Sequence, residues 1–563
     1  MGKFYLVLLI MLVLVSNCFG GNSNEDELSD LRNKVKDMFY HAYNGYLERG
    51  YPYDELRPLT CDGVNTWGSF SLTLVDALDT LAVLGNYSEF RRVANELTNN
   101  IDFNINVNVS VFETNIRVVG GLLSAHLMAD KAGLELTPGW PCSGPLLDLA
   151  VDVADRLLPA FNTPTYMPFG TVNLRYGVDA NETPITCTAG VGTFIVEFAT
   201  LSRLTGDAKY EEIAMKAIHA LNQSRSNIGL LGNHINVITG KWTALDSGIG
   251  AGVDSFYEYL VKGSILLDMP ELMEMFKEFL GPIEKYLKQG DWYMWANMNT
   301  GSITLPIHQS LEAFWPGLQT LYGDTENAYK TILSYYDVWD KYGGTPEFYS
   351  ITQSEPFNGR EGYPLRPELI ESTMYLYKSN KDPRLLEFGK QLLRSIEKVA
   401  KTNCGYATVK DVRDHRLDNR MESFFLAETI KYLYLLFDPE NPLLTTMKGA
   451  SLREFGDGRE CILGAGGYIF NTEAHPIDVS ALHCCDIMRK DTENSNIWNT
   501  FKSFDAKTLF TVNRSGWEPN PEPSGQRTWA GSDDRNVSRL VTNCDAESYH
   551  MKFMKHGQIF TEA

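Results

Sequence analysis

Short polar turns recur along this chain roughly every 60 residues, and that spacing constrains the fold more than any other feature. The turns are Gly85-Asn86, Ala132-Gly133, Gly206-Asp207, Asp268-Met-Pro270, Gly323-Asp324, Lys381-Asp-Pro383 and Asp438-Pro439. A long helical stretch ends at each turn and a second helix follows. About 60 residues hold two helices and two loops, so the chain reads as an array of helical pairs. Residues 424–437 are apolar nearly all round, which requires burial on both sides. Seven units with such stretches point to closure. The predicted fold class is all-α, an (α/α)7 barrel or toroid of helical pairs, with a few short strands near the C-terminal end of the core. The first helix after the leader carries Leu28, Leu31, Val35, Met38, Ala42 and Tyr46 on one stripe.

Residues 1–20 read as a signal peptide: Lys3, an apolar run from Phe4 to Val15, then small residues up to Gly20 and Gly21. The run is too short to span a bilayer comfortably, and no later segment is long and apolar enough. The barrel is expected over 21–488, followed by a polar, flexible tail over 489–563 that contains Pro519-Asn-Pro-Glu-Pro523. Six Asn-x-Ser/Thr acceptors agree with a lumenal course: Asn86, Asn108, Asn181, Asn222, Asn513 and Asn536. Asn181 is the weakest, because Pro184 follows its Thr183. Once Cys18 leaves with the leader, eight cysteines remain; their spacing fits no zinc site, and their pairing stays open. Cys544 in the tail is a candidate for a disulfide with a lumenal thiol-disulfide oxidoreductase; an intrachain partner is the alternative. The formal net charge of −21 argues against nucleic acid or an anionic membrane as a partner. It suits a neutral ligand and does not oppose a hard cation.

Acids gather at one end of the helices. Leu365-Arg-Pro-Glu-Leu-Ile-Glu371 opens a helix with Glu368 and Glu371 on one face; Glu113 and Arg117 stand four apart; Asp254 lies in a first turn; Glu422 and Glu428 flank aromatics. Capping or ion pairing explains each of these alone. Yet Trp67, Glu113, Asp254, Glu368 and Glu422 all precede their turns by about 20–30 Å of helix, which sets them near one rim. With Trp67, Phe70, Trp315 and Tyr363 as platforms, that mouth reads as a sugar site. Glycoside hydrolysis needs one protonated and one ionised carboxyl, and room for water between them gives inversion. Gly120-Gly121 inside a helix calls for close approach by a neighbour, most simply another helix. Tyr468 to Phe470 read as a short strand, and the oxygens of Thr472 and Glu473 just beyond it suit Ca²⁺. No Gly-x-Ser-x-Gly, P-loop or His-Glu-x-x-His motif is present.

From about Lys34 to Pro476 the chain resembles glycoside hydrolase family 47, the class I α-1,2-mannosidases. The resemblance rests on Phe112-Glu-Thr-Asn-Ile-Arg117, Val253-Asp-Ser-Phe-Tyr-Glu-Tyr259, Leu365-Arg-Pro-Glu368 and Phe470-Asn-Thr-Glu-Ala-His-Pro476. Glu55–Gly63, Gly190–Phe198 and Leu311–Gly317 bring it nearest to the ER degradation-enhancing α-mannosidase-like branch. The resemblance implies an inverting mechanism, a Ca²⁺ ion at the barrel floor and an ER-lumenal location without a Lys-Asp-Glu-Leu signal. It implies trimming of high-mannose N-glycans on misfolded glycoproteins, which routes them to degradation. By motif, Glu113 matches the general acid, and Asp254 and Glu368 match the other catalytic carboxylates. Glu368 is favoured as base, although the sequence does not decide which group carries the proton. Thr472 matches the residue that binds calcium directly. Glu197, Glu371, Glu422 and Glu473 match its acidic shell, and Arg117 and Arg366 match arginines near the sugar. Ser310 stands where the processing mannosidases carry a histidine. The rival reading is a mannose-binding lectin that uses the same pocket without turnover.

Overall fold

The computed structural model describes residues 25–445, 448–454 and 460–488. The expected leader, the expected tail with Asn513, Asn536 and Cys544, and residues 446–447 and 455–459 lie outside the described residues. Each of the seven expected turns ends an apolar helix, and the first six lead into an amphipathic one. The apolar helices are Leu72–Asp76 with Leu78–Val83, Gly120–Met128, Ile195–Thr205, Asp254–Leu267, Trp315–Tyr322, Glu368–Asn380 and Ile430–Phe437. Each is buried over nearly its whole surface, so these form the inner ring. Each packs on the next, and the last returns through its preceding turn to the first, which closes the ring.

The outer helices bury one stripe only. In Tyr87–Asn100, for example, Phe90, Val93, Ala94 and Leu97 face inward and the rest is polar. Six outer helices follow their inner partners, ending with Pro383–Val399. The seventh place is taken by residues 25–45, whose Arg32 donates to the Phe437 carbonyl at 3.0 Å. Four of the inner helices end left-handed, which keeps the turns after them tight. Gly206 (φ 84°) and Gly323 (φ 100°) adopt this conformation without a Cβ penalty, whereas Asp268 (φ 52°) and Lys381 (φ 55°) adopt it with one.

Strands are more widespread than expected. Short antiparallel ladders precede most inner helices, among them Asn108–Ser110 with Thr171–Asn173 and Ile307–Gln309 with Phe348–Ser350. Two- to four-residue pairings leave no hydrophobic period to read. They stand at the end opposite the turns and build the mouth. The predicted strand Tyr468–Phe470 is present and pairs with Pro476–Asp478. Its turn, Asn471–His475, is fully or almost fully buried apart from Thr472 and plugs the ring.

Among the described residues three disulfides form: Cys61–Cys404, Cys142–Cys485 and Cys461–Cys484. Cys187 is a free thiol. Among the glycan acceptors, Asn108 and Asn181 are exposed. Asn86 caps a helix, accepting from Glu89 N–H at 3.2 Å and donating to the Tyr40 hydroxyl at 3.0 Å. Asn222 has a buried amide oxygen.

One buried carboxylate shapes the first mouth loop. Asp54 Oδ2 accepts from the N–H groups of Thr66, Trp67, Gly68 and Ser69 at 3.0–3.1 Å, and Oδ1 from Phe70 and Leu72 at 2.7 and 3.3 Å. Asp54→Ala orphans these donors and should cost about 3–5 kcal/mol, with Asp54→Asn in between. Denaturant unfolding monitored by tryptophan fluorescence checks this; an unchanged midpoint would contradict it.

Candidate active site

The predicted catalytic acids meet. Glu113, Asp254 and Glu368 line one cavity of about 270 Å³, and Thr472 and Glu473 of the plug turn form part of its lining. Each acid sits at the start of its helix, so the closed ring converts three separate helix starts into one mouth. Glu113 follows the cap made by Ser110 Oγ, which accepts its N–H at 3.2 Å. Asp254 opens Asp254–Leu267, and Glu368 opens Glu368–Asn380.

Arg117 organises one wall. Its Nε donates to Glu113 Oε2 at 2.8 Å, its Nη2 lies 3.1 Å from Glu473 Oε1, and its Nη1 lies 3.6 Å from Asp76 Oδ2. Arg366 organises the opposite wall, with Nε 2.9 Å from Glu347 Oε1 and Nη1 3.7 Å from Glu368 Oε1. Both guanidinium groups lie within 6 Å of the Phe424 ring centre, at 5.5 and 5.9 Å.

Seven carboxyl groups line this cavity, because Glu258, Glu371 and Glu428 join the four already named. Lys262 beneath them pairs closely with Glu258 and lies 3.5 Å from Glu371. Three cations therefore face seven acids, and burial disfavours the charged forms. Burial pushes Glu368 up to about 8, against which Arg366 works. It pushes Asp254 up to about 7, with repulsion from Glu258 adding to the rise. Glu371 rises to about 7 and Glu473 to about 8, again mainly through burial. Glu428 rises well above the carboxylate range through burial and the neighbouring Glu473. Glu473 Oε2 is buried and has no hydrogen-bond partner in the protein.

Several sequence expectations need correction. Glu422 does not line the cavity; it pairs with Arg420 at 2.7 Å in the loop before the helix. The acid that reaches the cavity from this segment is Glu428. Glu197 lies beneath the floor, where Tyr259, Asn471 and Asn115 donate to it at 2.6, 2.8 and 2.9 Å. Trp315, Tyr363 and Phe70 are core residues, and Trp67 is held in the Asp54 loop, off the lining. The rings that do face the cavity are Phe112, Phe314 and Phe424. Glu258 was legible as the acid four residues after Asp254 on the same helical face.

The close approach at Gly120 comes from the plug turn, and at Gly121 from both the plug turn and a neighbouring helix, whose Val75 carbonyl oxygen would lie 3.1 Å from an added Cβ. A Cβ on Gly120 would lie 2.4 Å from Asn471 Nδ2, and one on Gly121 would lie 3.3 Å from His475 Cε1. Just before them, Thr114–Val119 forms a π-helical turn. Such a turn loosens the helix's own hydrogen-bond ladder, and the Ile116 carbonyl accepts from Asn471 Nδ2 at 2.8 Å. The same Asn471 takes the N–H groups of Glu473 and His475 on Oδ1, each at 2.9 Å. One side chain thus folds the turn that presents Thr472 and fastens it to the Glu113 helix.

The chain matches the glycosyl hydrolase family 47 description over residues 38–479. It is 56% identical to the human (Homo sapiens) ER degradation-enhancing alpha-mannosidase-like protein 2, over 97% of this chain and 96% of that one. It is 46% identical to alpha-mannosidase I MNS4 of Arabidopsis thaliana, over 84% of this chain and 75% of that one. Among solved structures it is similar to the alpha-1,2-mannosidase from Trichoderma reesei, with a TM-score of 0.69, 24% identity, 80% of this chain and 99% of that one. That structural likeness bears on the fold.

Gly120→Ala should cost about 1–3 kcal/mol, because neither Asn471 nor the helix can yield freely. Gly281→Ala, within Pro270–Tyr286 and with nothing near its Cβ, should be neutral or stabilising by up to about 1 kcal/mol. Paired thermal unfolding curves check the contrast.

Proposed function

We infer the function from one fixed premise, that this chain belongs to glycosyl hydrolase family 47. The proposed activity is inverting hydrolysis of terminal α-1,2-linked mannose from high-mannose N-glycans. The proposed setting is the ER lumen, where trimming would route misfolded glycoproteins to degradation, as the names of its ER degradation-enhancing relatives suggest for them. The observation that carries the reading is the convergence of Glu113, Asp254 and Glu368 on one cavity with Thr472 beside them. All four oxygen-bearing groups needed for the chemistry are retained, which favours turnover over a lectin role.

In this reading Glu113, on the arginine-bearing wall, gives its proton to the departing glycosidic oxygen. Glu368, on the opposite wall, takes a proton from the water that attacks the anomeric carbon, acting from the ionised form that the neighbouring Arg366 favours against burial. Asp254 shares the water or tunes Glu368. The Phe424 ring between the two arginines offers an apolar face to the sugar, and Arg117 and Arg366 fix the carboxylates they pair with.

The residues present fit a Ca²⁺ ion. Seven acids against three cations leave an anionic excess, Glu473 Oε2 lacks a partner, and Thr472 supplies a hydroxyl at the cavity. Among the described residues no group of three Asp, Glu, His or Cys side chains stands close enough to hold an ion alone. Thr472 would therefore bind it directly, with Glu371, Glu428 and Glu473 reached through water. When bound, the ion would coordinate sugar hydroxyls and help distort the ring. The finer partner assignment, a lumenal thiol-disulfide oxidoreductase at Cys544, falls outside the described residues. It remains testable by comparing reducing and non-reducing gels of wild type and Cys544→Ala.

Profiling a nine-mannose glycan on unfolded glycoprotein tests the activity. Wild type with Ca²⁺ should release mannose, and Glu113→Gln and Glu368→Gln should each lose at least about 10²-fold. If wild type binds the glycan and releases nothing, even with lumenal extract, the lectin reading replaces this one. A second outcome concerns pH. Folded Glu368 and Glu371 titrate near 8 and 7 instead of 4.5, so the native state holds protons that the unfolded chain releases. Their stabilising contribution is present below about pH 4.5 and is lost as pH rises towards 8. A bound dication relieves that loss, so the rise in Tm on adding Ca²⁺ over chelator should grow between pH 5 and 8. A pH-independent increment would contradict the assignment.

A further inference from the structure

The peptide that leads into Asp254 is gripped from three directions. Ala251 N–H donates to Gln309 Oε1 at 2.7 Å, and the Ala251 carbonyl accepts from Asn233 Nδ2 at 2.8 Å. The Gly252 carbonyl accepts from Ala189 N–H at 2.8 Å. There is no slack in this contact. A Cβ on Gly250 would fall 2.5 Å from Gln309 Oε1, and one on Gly252 would fall 2.7 Å from Asn233 Oδ1. Gln309 and Asn233 are 1% and 5% exposed. The grip has a local reason. The helix Asp254–Leu267 starts without a capping side chain; Ser255 N–H donates to Asp254 Oδ1 at 2.9 Å and orients the carboxylate, while the backbone that carries it is placed by the grip.

Gln309 also belongs to the other wall. It ends the strand Ile307–Gln309 and pairs with Phe348. Glu347, next to Phe348, holds Arg366, whose Nη1 reaches Glu368. A single short ladder therefore touches the Asp254 approach through a side chain and the Glu368 wall through its partner strand.

We propose that Gln309 is a positioning residue that sets the separation of Asp254 and Glu368 across the cavity, with Asn233 holding the same peptide from the other side. Neither residue touches the cavity; both act through the Gly250–Gly252 backbone. The consequence for turnover rests on the hydrolytic reading above: a water must fit between two carboxyls, and a displacement of about 1 Å costs on the order of 10²-fold.

The test uses the full chain with Gln309→Leu, which keeps bulk and removes the acceptor. Amide hydrogen exchange should accelerate over residues 250–254. Turnover of the nine-mannose glycan should show kcat lower by about 10–100-fold with KM within about two-fold. Gln309→Glu, assayed at mildly acidic pH where a buried carboxyl stays neutral, retains an acceptor oxygen and should recover kcat. Asn233→Ala opens the grip from the opposite side and should reproduce the signature if Gln309→Leu does not fold. Unchanged exchange in the 250–254 segment overturns the proposal, as does a kcat loss that Gln309→Glu fails to recover. If wild type releases no mannose, the hydrolytic reading fails, and the exchange measurement still decides the grip by itself.

Discussion

Beneath the cavity, Asp79 is clamped between two buried cations: Lys431 Nζ at 2.7 Å and His475 Nδ1 at 2.8 Å, all three with no exposed side-chain surface. The rest of the site stands on this arrangement. His475 Nε2 also reaches Asp76 at 3.2 Å, and the two aspartates raise its pKa to about 9, so the ring stays charged. Lys431 donates onward to the Ala474 carbonyl at 2.7 Å. Leaving one such charge unpaired in a dry interior costs several kcal/mol, so the groups hold one another in place. Their joint effect is to pin a turn with a left-handed Ala474 in the centre of a ring of apolar helices. Asp76 connects the same set to Arg117, and thus the plug to the Glu113 wall.

Much of the ring was legible because its signals are local. A left-handed helix end, a glycine or an Asp-x-Pro after it, and a fresh amphipathic start together fit within a dozen residues. Their recurrence gave both the number of units and the rim on which the acids lie. The single-sided stripe of residues 25–45 and the all-round apolar 424–437 were equally readable, since burial follows directly from which faces are apolar. The plug strand was legible as well, although the strands of the mouth were not.

What was not legible depends on how elements turn against each other. Glu422 and Glu428 both flank aromatics, but the chain is still a loop at 422. The helix beyond it begins with a π-turn, Phe425–Thr429, which carries Glu428 toward the cavity. Trp315 and Tyr363 look like sugar platforms by residue type and prove to be core. The Gly120-Gly121 pair correctly announced a close approach, and a helix is one partner through the Val75 carbonyl; the other, the plug turn, comes from more than 300 residues away in sequence and had no local trace. Disulfide pairing failed for the same reason: two of the three bridges span 343 residues.

Two arginine walls hold carboxylates on opposite sides of the cavity over a preformed floor, and the activity proposed for this arrangement is hydrolysis of α-1,2-mannosides with inversion. Proton NMR of the mannose first released from an α-1,2-linked mannoside, recorded before mutarotation, tests it most directly. The predicted product is β-mannose. Release of α-mannose, or tight binding of the mannoside with no release at all, would contradict the claim.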